Sequence, residues 1–344
     1  MDDTVNYSIN LTVQFCFPGN SASCRKEVRS GSGNILLFIV LSCVSVCTVF
    51  LNLLVIISIS HFKQLHTPTN LLILSLAVAD LLVGMFVMPV RIMQLIDSCW
   101  YLGETACSAS LVINGLSVTI SLYSLVLIAV DRYIAVSDPL LYSTRITVSK
   151  TSLFISLGWS LGLLYMIIYL YFNHLLQSQI ISRCYGECVV SVKHSWVIVD
   201  LVLFFVAPCS VILILYSIIF IAARRQAKAV RAVTDASKRH GSANSSETKA
   251  AKTLGIVIFV YLACWIPYYI SSLLIESVTT SSIVVIVFVW IICLNSSVNP
   301  LIYAIFYPWF RTSVKFIVTC RIFKFSSSRF NLLPECFSFQ AGFS

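Results

Sequence analysis

Charged residues are scarce in this chain of 344 amino acids, since Asp, Glu, Lys and Arg together supply only 11% of the sequence. Soluble globular domains carry about 25% charged residues, so this scarcity argues against a soluble enzyme or binding domain. A stretch with the pattern of a cleavable signal peptide is also lacking within residues 1–33, so we expect the first membrane span to direct insertion. Hydrophobic residues make up 58% of the sequence, and the mean hydropathy is +0.91. This composition indicates a membrane protein.

Long apolar stretches dominate the chain, and seven of them have the ~20 residues that a helix needs to cross a bilayer. They lie near residues 34–59, 69–94, 104–136, 150–173, 195–223, 251–276 and 283–307. The expected fold is an all-α membrane protein, a seven-transmembrane helix bundle with a short amphipathic eighth helix. We divide the chain into an extracellular N-terminal tail (1–33), the bundle (34–307), and the amphipathic helix with a cytoplasmic tail (308–344).

The positive charge of the chain, a formal net +9, predicts its orientation in the membrane. Sixteen of the 23 Lys and Arg residues lie in segments on one side of a seven-span bundle, namely 60–68, 137–150, 224–252 and 308–344. The positive-inside rule makes that side cytoplasmic and the N-terminus extracellular, as in a multi-pass protein of the plasma membrane. Charge placed in this way indicates contact with membrane lipid and is not a signal for nucleic acid. Asn6 and Asn10 begin sequons in the outer tail and are candidates for glycosylation.

The chain contains 13 cysteines, and their positions separate them into groups. Six fall on the predicted extracellular side, where disulfides persist: Cys16, Cys24, Cys99, Cys107, Cys184 and Cys188. Their pairing cannot be read from the sequence alone. Cys320 follows the predicted amphipathic helix and is either a palmitoylation site or an inert thiol.

Short motifs recur along the spans in a fixed order. They are Asn52 in the first span, Leu76-Ala77-Val78-Ala79-Asp80 in the second, Asp131-Arg132-Tyr133 ending the third, Trp159 in the fourth, Cys264-Trp265-Ile266-Pro267 in the sixth and Asn299-Pro300-Leu301-Ile302-Tyr303 in the seventh. One such motif alone would be weak evidence. Six in this order resemble the rhodopsin-class G-protein-coupled receptors, over residues 34–320.

A narrower resemblance begins in the seventh span. The run Asn295-Ser296-Ser297-Val298-Asn299-Pro300, followed by Tyr303, Tyr307 and Trp309-Phe310, resembles the trace-amine-associated receptors. The run 249–255 and the cysteine pair before the fifth span are similar to the same family. The resemblance implies a receptor rather than an enzyme, from a family of mostly olfactory amine sensors. It also implies a heterotrimeric G protein of the stimulatory, cAMP-raising type as partner, and no cofactor beyond an allosteric sodium ion.

The resemblance implies a switch at the cytoplasmic end of the bundle, formed by Asp131, Arg132, Tyr133 and Tyr303. In the family the arginine pairs with its neighbouring aspartate at rest and releases it to meet the G protein. Such a charge pair biases a bundle with two states, as switching requires. A snorkelling ion pair at the membrane interface is the alternative interpretation.

A sodium site beneath the ligand pocket is also implied by the resemblance, at Asp80, Ser121, Asn295, Ser296 and Asn299. Oxygen ligands around one carboxylate suit a hard cation, and the ion offsets the burial of the negative charge. Water and amide hydrogen bonds alone are the alternative means of holding this aspartate.

The family further implies a disulfide between Cys107 and Cys188, which fixes the second extracellular loop over the pocket. A second bridge is expected from Cys16 or Cys24 to Cys184. Cys99 leaves the assignment of these pairs open.

The negative charge for an amine ligand is in an unusual place. Most amine receptors of this class carry an aspartate eighteen residues before the arginine of the third-span motif, where this chain has the neutral Asn114. Asp200 lies instead in the apolar fifth span, about two helical turns before Pro208 and at pocket depth. A charge at bilayer depth costs at least ~2.5–3.5 kcal/mol, so such a residue is a functional candidate by default. The pattern resembles a fish-type branch of the family, and a structural salt bridge is the alternative.

The expected pose places the ligand ammonium at Asp200 and the ligand body toward Asn114, Val118 and Cys293. The family places an aromatic toggle, Trp265, at the floor of this pocket, beside a proline kink. Aromatic faces attract ammonium ions, which makes four further residues candidates for the pocket: Trp196, Phe204, Tyr268 and Tyr269. Ordinary aromatic packing is the alternative for Phe204 and Tyr269.

Other functions make different demands on the sequence. A transporter predicts internal repeats and several charges along a path, which are not visible. An intramembrane enzyme needs a catalytic pair, and none of the five histidines is placed beside a nucleophile in a span. An opsin needs a Schiff-base lysine in the seventh span, and residues 283–307 contain none. Among receptors, the alternative to an amine sensor is a receptor for a non-amine small odorant or a peptide.

Overall fold

The structure, a computed structural model, consists mainly of long helices and confirms the predicted seven-helix membrane bundle. It describes residues 14–26, 32–97, 99–172, 184–186, 188, 194–234, 243–274, 283–323, 327–330 and 332, without the side chains of 32–34, 194–197, 223, 226–234, 243–254, 272–274 and 283–286. Within these residues, six helices have the length and apolar composition of a membrane span, and the seventh contributes the shorter apolar stretch Gly255–Ser271.

We label the helices in chain order. They are α1 (Ser32–His61), α2 (Pro68–Leu82 and Met88–Ile96, joined by a π turn at Val83–Val87), α3 (Gly103–Ser137), α4 (Val148–Leu170), α5 (His194–Leu201 and Ala207–Thr234, joined by a π turn at Val202–Val206), α6 (Ala243–Leu274), α7 (Ile283–Phe306) and α8 (Pro308–Val318). A short loop helix, Pro139–Arg145, lies between α3 and α4. One face of α8 buries Trp309, Phe310 and Ser313, as an amphipathic helix requires.

Local signals in the sequence determine where several helices begin. Thr67 precedes α2 in an extended conformation and accepts a hydrogen bond from the backbone N–H of Asn70 at 3.3 Å. Thr147 caps α4 in the same way, accepting from the backbone N–H of Lys150 at 3.4 Å. These caps satisfy N–H groups that lack a partner inside the helix. Proline in the first turn of α2 and α8 has no such N–H to satisfy.

Polar side chains join neighbouring helices inside the bundle. α3 lies at the centre and packs against α2, α4 and α5, while α1 packs against α2 and α7. Asn52 on α1 donates to the backbone carbonyl of Ser296 on α7 at 3.1 Å. Ser75 on α2 accepts hydrogen bonds from Ser124 of α3 at 3.2 Å and from the indole N–H of Trp159 of α4 at 3.1 Å. Such groups must find partners within the protein, because hydrocarbon supplies none.

Two glycines allow α3 and α4 to approach closely. A Cβ at Gly115 of α3 would lie 2.2 Å from the terminal methyl of Met166, a flexible side chain that can move away. A Cβ at Gly158 of α4 would lie 2.2 Å from the ring of Tyr123. That ring cannot move freely, because its hydroxyl donates to the backbone carbonyl of Phe154 at 3.0 Å.

Replacing Gly158 with alanine should therefore destabilise the bundle. Overpacking costs about 1–3 kcal/mol, so we expect a lower midpoint of thermal unfolding for the detergent-solubilised Gly158→Ala variant. Gly255→Ala is the matched control, since no described atom lies within 4 Å of its Cβ position. Equal midpoints for the two variants would contradict the close contact between α3 and α4.

Candidate functional site

An ion pair between Asp131 and Arg132 lies at the end of the bundle that carries α8. We call this end the inner side. Asp131 Oδ2 accepts hydrogen bonds from Arg132 Nη2 at 2.6 Å and from Arg132 Nε at 3.0 Å. Thr69 of α2 donates to the same oxygen at 2.8 Å, and Tyr142 of the loop helix donates to Oδ1 at 2.7 Å. Asp131 is only 3% exposed, so the arginine and these two hydroxyls stabilise a buried negative charge.

The sequence predicted the pair of Asp131 with Arg132 but missed Thr69 and Tyr142. Neither belongs to the third-span motif, and the loop helix that carries Tyr142 has no apolar periodicity that would indicate its position. The two other predicted switch residues differ in burial. Tyr133 is half-buried on α3, whereas Tyr303 is buried on α7 with its ring 6.0 Å from that of Tyr307.

A second buried carboxylate, Asp80 of α2, lies in the middle of the bundle. Its Oδ2 accepts a hydrogen bond from Asn299 Nδ2 at 2.8 Å, and Ser121 and Ser296 lie beside the carboxyl group. The structure thus brings together Asp80 with all of these predicted partners, and Asn295 is buried on the same stretch of α7. Within the described residues, no basic side chain forms a salt bridge with Asp80.

Several oxygen atoms of this cluster accept no hydrogen bond from the residues that the structure describes. Oδ1 of Asp80, Oδ1 of Asn295 and Oδ1 of Asn299 are all buried, and no described residue donates to them. Unpaired buried oxygens cost free energy unless a donor or a cation contacts them. A carboxylate with amide and hydroxyl oxygens is a ligand set for a hard cation, so these residues fit a sodium ion.

A cavity lies directly outward of this cluster. Asn114 and Val118 of α3, Trp265 of α6 and Cys293 of α7 line it, together with Asn295 and Ser296 of the polar cluster. Trp265 is buried beside the cavity and stacked on Tyr269, with the ring centroids 5.8 Å apart. The cavity therefore joins four of the predicted ligand-binding residues to the predicted sodium site.

Asp200 lies apart from this cavity, on the side of the bundle where α5 meets α4. The carboxylate is half-buried, and Tyr165 of α4 donates a hydrogen bond to its Oδ1 at 2.5 Å. The ring of Tyr165 packs on Phe204 at 4.5 Å, while Phe205 packs on Tyr269 at 4.6 Å. Aromatic side chains from α4, α5 and α6 therefore surround the region of the carboxylate.

Sequence reasoning missed Tyr165, because it considered only charged partners for Asp200. Among the described residues Asp200 forms no salt bridge, and its hydrogen-bond donor is a neutral phenol. No described cation therefore compensates this carboxyl group. Tyr268 packs edge-on against Trp265 at 6.2 Å. The side chain of Trp196, a further predicted pocket residue, lies outside the described residues.

The opposite end of the bundle, which we call the outer side, carries three disulfides. They join Cys107 to Cys188, Cys24 to Cys184 and Cys16 to Cys99. Residues 14–26 are thus attached both to the segment after α2 and to the segment before α5. The predicted glycosylation sites, Asn6 and Asn10, lie outside the described residues.

A salt bridge reinforces this attachment. Lys26 Nζ lies 2.9 Å from Asp97 Oδ2, and the backbone N–H of Cys99 donates to Asp97 Oδ1 at 3.0 Å. Burial disfavours the charged carboxyl, but these hydrogen bonds outweigh burial and hold the pKa of Asp97 below its ordinary value. The ring of Phe17 packs between those of Tyr101 and Tyr185, at 5.7 and 4.9 Å.

Comparison with known proteins gives a consistent result. The sequence model of the family described as "7 transmembrane receptor (rhodopsin family)" matches residues 51–303. The chain is 41% identical over 343 residues to trace amine-associated receptor 6 of Homo sapiens, covering 96% of this chain and 99% of that protein. It is 40% identical over 330 residues to trace amine-associated receptor 13c of Danio rerio, covering 93% and 96% respectively.

The pairing of Cys16 with Cys99 can be tested by thiol labelling. We expect a maleimide to leave both residues unlabelled in the unreduced, detergent-solubilised protein. Cys16→Ser should release a reactive thiol at Cys99, and Cys99→Ser should release one at Cys16, as peptide mass spectrometry would show. Loss of the bridge should lower stability by about 2–4 kcal/mol, equally in either single variant and in the double variant. Labelling of Cys99 in the unmodified protein would contradict this pairing.

Proposed function

The chain belongs to the rhodopsin family of seven-transmembrane receptors and, within it, to the trace amine-associated receptors, and we propose that it senses small amines through Asp200. It is a G-protein-coupled receptor in the membrane and not an enzyme. In this proposal the outer side faces the exterior of the cell at the plasma membrane. Volatile or water-borne amines bind there, in an olfactory role, and a stimulatory G protein on the inner side raises cAMP.

The observation that carries the proposal is that Asp200 has no basic partner among the described residues. Its one described hydrogen-bond donor, Tyr165, is neutral, so no described cation occupies the place that an ammonium would take. An ammonium ion entering this region forms a charge-assisted hydrogen bond, which exclusion of water strengthens. The neighbouring rings of Phe204 and Tyr269 offer faces that also attract cations. Asn114 has no charge with which to compete for the ligand.

The path from the ligand to the G protein runs through the other two carboxylates. A ligand body at Asn114, Val118 and Cys293 lies above Trp265, whose cavity continues to the polar cluster of Asp80. A sodium ion held there by oxygens of Asp80, Ser121, Asn295, Ser296 and Asn299 stabilises the resting bundle. At the inner side, release of Arg132 from Asp131 frees the arginine to meet the G protein, while Tyr133 and Tyr303 rearrange.

A receptor for a neutral odorant or a peptide is the second candidate. Asp200 is not among the residues that line the Trp265 cavity, whereas Asn114 is. A neutral ligand could hydrogen-bond to this amide and leave Asp200 with Tyr165. The two candidates differ in whether the protonated form of the ligand is the active one.

Substitutions of Asp200 test the amine proposal. Asp200→Ala should abolish cAMP responses to a panel of mono- and diamines, because the one negative charge offered to the ammonium is removed. Tyr165→Phe keeps the ring and removes one hydrogen bond of roughly 1.5–3 kcal/mol, so it should change potency without abolishing the response. Asn114→Asp in the unmodified background should broaden the response to diamines.

Surface expression of each variant, measured by flow cytometry on an N-terminal tag, is the control for folding. Agonist potency should also rise in proportion to the protonated fraction of the amine as the pH is varied. Full potency of amines at Asp200→Ala would refute the proposal. A pH-independent response to uncharged odorants would favour the neutral-ligand receptor.

The sodium site predicts an ion-specific effect on stability. NaCl should raise the midpoint of thermal unfolding of the ligand-free receptor above that in KCl of equal ionic strength, because binding to the folded state alone stabilises it. Asp80→Asn should remove this difference while the receptor still reaches the cell surface. An unchanged sodium effect in Asp80→Asn would show that the ion binds elsewhere.

A further inference from the structure

A second cavity lies outward of the Trp265 cavity, between α2 and α3. Its polar lining is Arg91 and Gln94 of α2 and Ser110 and Asn114 of α3. It shares Asn114 and Val87 with the Trp265 cavity, so the two spaces adjoin. Its volume of about 30 Å³ suits a small polar group rather than an entire ligand.

Among the described residues, no acidic side chain pairs with the guanidinium of Arg91 in this cavity. Its described hydrogen bond goes to a neutral acceptor, Gln94 Oε1, at 3.2 Å. Gln94 is itself fixed, because its amide nitrogen donates to the backbone carbonyl of Cys188 at 3.5 Å. No salt bridge of the described residues involves Arg91. The arginine is half-buried, so water screens its charge only in part.

The position of this charge relates it to the predicted ligand body. Arg91 lies close enough to Cys293 of α7 for an electrostatic interaction with that residue, which lines the Trp265 cavity. An aspartate at position 114 would line the same cavity as this guanidinium and offset part of its charge, which would lessen its repulsion of a second ammonium. The neutral Asn114 instead leaves a positive residue that lines this cavity on α2 and a negative residue on α5, both in the outer half of the bundle.

We propose, on the basis of Asp200 as the amine site, that the receptor takes zwitterionic amines: small molecules with an ammonium at one end and a carboxylate or similar oxyanion at the other. The oxyanion binds Arg91, whose planar guanidinium suits bidentate hydrogen bonds to such a group. The spacer between the two charges lies along Asn114 and Val118. A diamine is disfavoured, because its second ammonium would face the arginine.

A homologous ligand series tests this inference. Linear ω-aminocarboxylic acids of increasing length are compared with n-alkylamines and α,ω-diamines of equal length, by cAMP response and by thermal stabilisation of the purified receptor. At the length that spans both sites, we expect the aminocarboxylate to be about tenfold or more as potent as the alkylamine, since hydrogen bonds to charged groups contribute about 1.5–3 kcal/mol.

Variants of Arg91 should remove this preference selectively. Arg91→Gln should abolish the advantage of the aminocarboxylate and leave alkylamine potency within about threefold, since Asp200 is unchanged. Arg91→Glu should reverse the preference in favour of diamines.

Lys26→Gln is the matched control, because it removes another positive charge of the outer side that does not line the cavity. Arg91→Lys, which keeps the charge, should retain part of the preference and shows that the site still folds.

The outcomes separate this inference from the proposed function. Equal potency of aminocarboxylates and alkylamines, or loss of both classes in Arg91→Gln at normal surface expression, overturns the anion site while amine sensing at Asp200 stands. Glu187 lies beside Cys188 in the sequence. If Glu187→Gln creates a preference for the aminocarboxylate that the unmodified receptor lacks, the arginine is already paired within the chain and the inference fails. Simple carboxylates that are as potent as the aminocarboxylate, in Asp200→Ala as in the unmodified receptor, would show that the anion site needs no ammonium and would overturn the zwitterionic ligand.

Discussion

A carboxylate at bilayer depth must be stabilised by the protein itself, and this requirement organises the bundle. Three described carboxylates lie at successive depths from the inner side outward, and the protein compensates them to a decreasing extent. Asp131 has its own arginine and two hydroxyls, Asp80 has an amide donor with two serines beside it, and Asp200 has one phenol. The less the protein neutralises such a group, the more an external cation can contribute.

Because this compensation decreases from the inner side outward, the carboxylate at each depth suits a different partner. At the inner side the cation belongs to the chain, so the proposed switch exchanges one protein contact for another. In the middle the buried oxygens suit a small ion, and at the outer half an ammonium can approach. Rigid connections run beside these sites: Asn52 joins α1 to the backbone of Ser296, and Ser75 joins α2, α3 and α4. A movable charge pair can only switch states against a frame that stays in place.

Much of this arrangement could be predicted from the sequence, for a physical reason. Membrane spans require long apolar runs, so the bundle could be predicted, and Asp200 stands out as a carboxylate within one of them. Asp80 and Asp131 were predicted from motifs that resemble those of the receptor family. Tyr165 and Thr69 were not predicted, because they reach across from other helices and have no fixed spacing from the carboxylates. The pairing of Cys16 with Cys99 likewise depends on how two loops meet, which composition and periodicity do not specify.

The π turn of α5 at Val202–Val206 has a consequence for Asp200. Such a turn contains one residue more than the α-helical turn it replaces. Each residue of an α-helix accounts for about 100° of rotation, so every side chain outward of the turn is rotated by that angle relative to an uninterrupted helix. Asp200 lies two residues outward of it, and its direction toward α4 therefore depends on the number of residues in the turn. Deleting Val202, Leu203 or Val206 would point the carboxylate elsewhere while keeping the identity of every predicted pocket residue, so the direction of the proposed ligand charge depends on chain length as much as on side-chain identity.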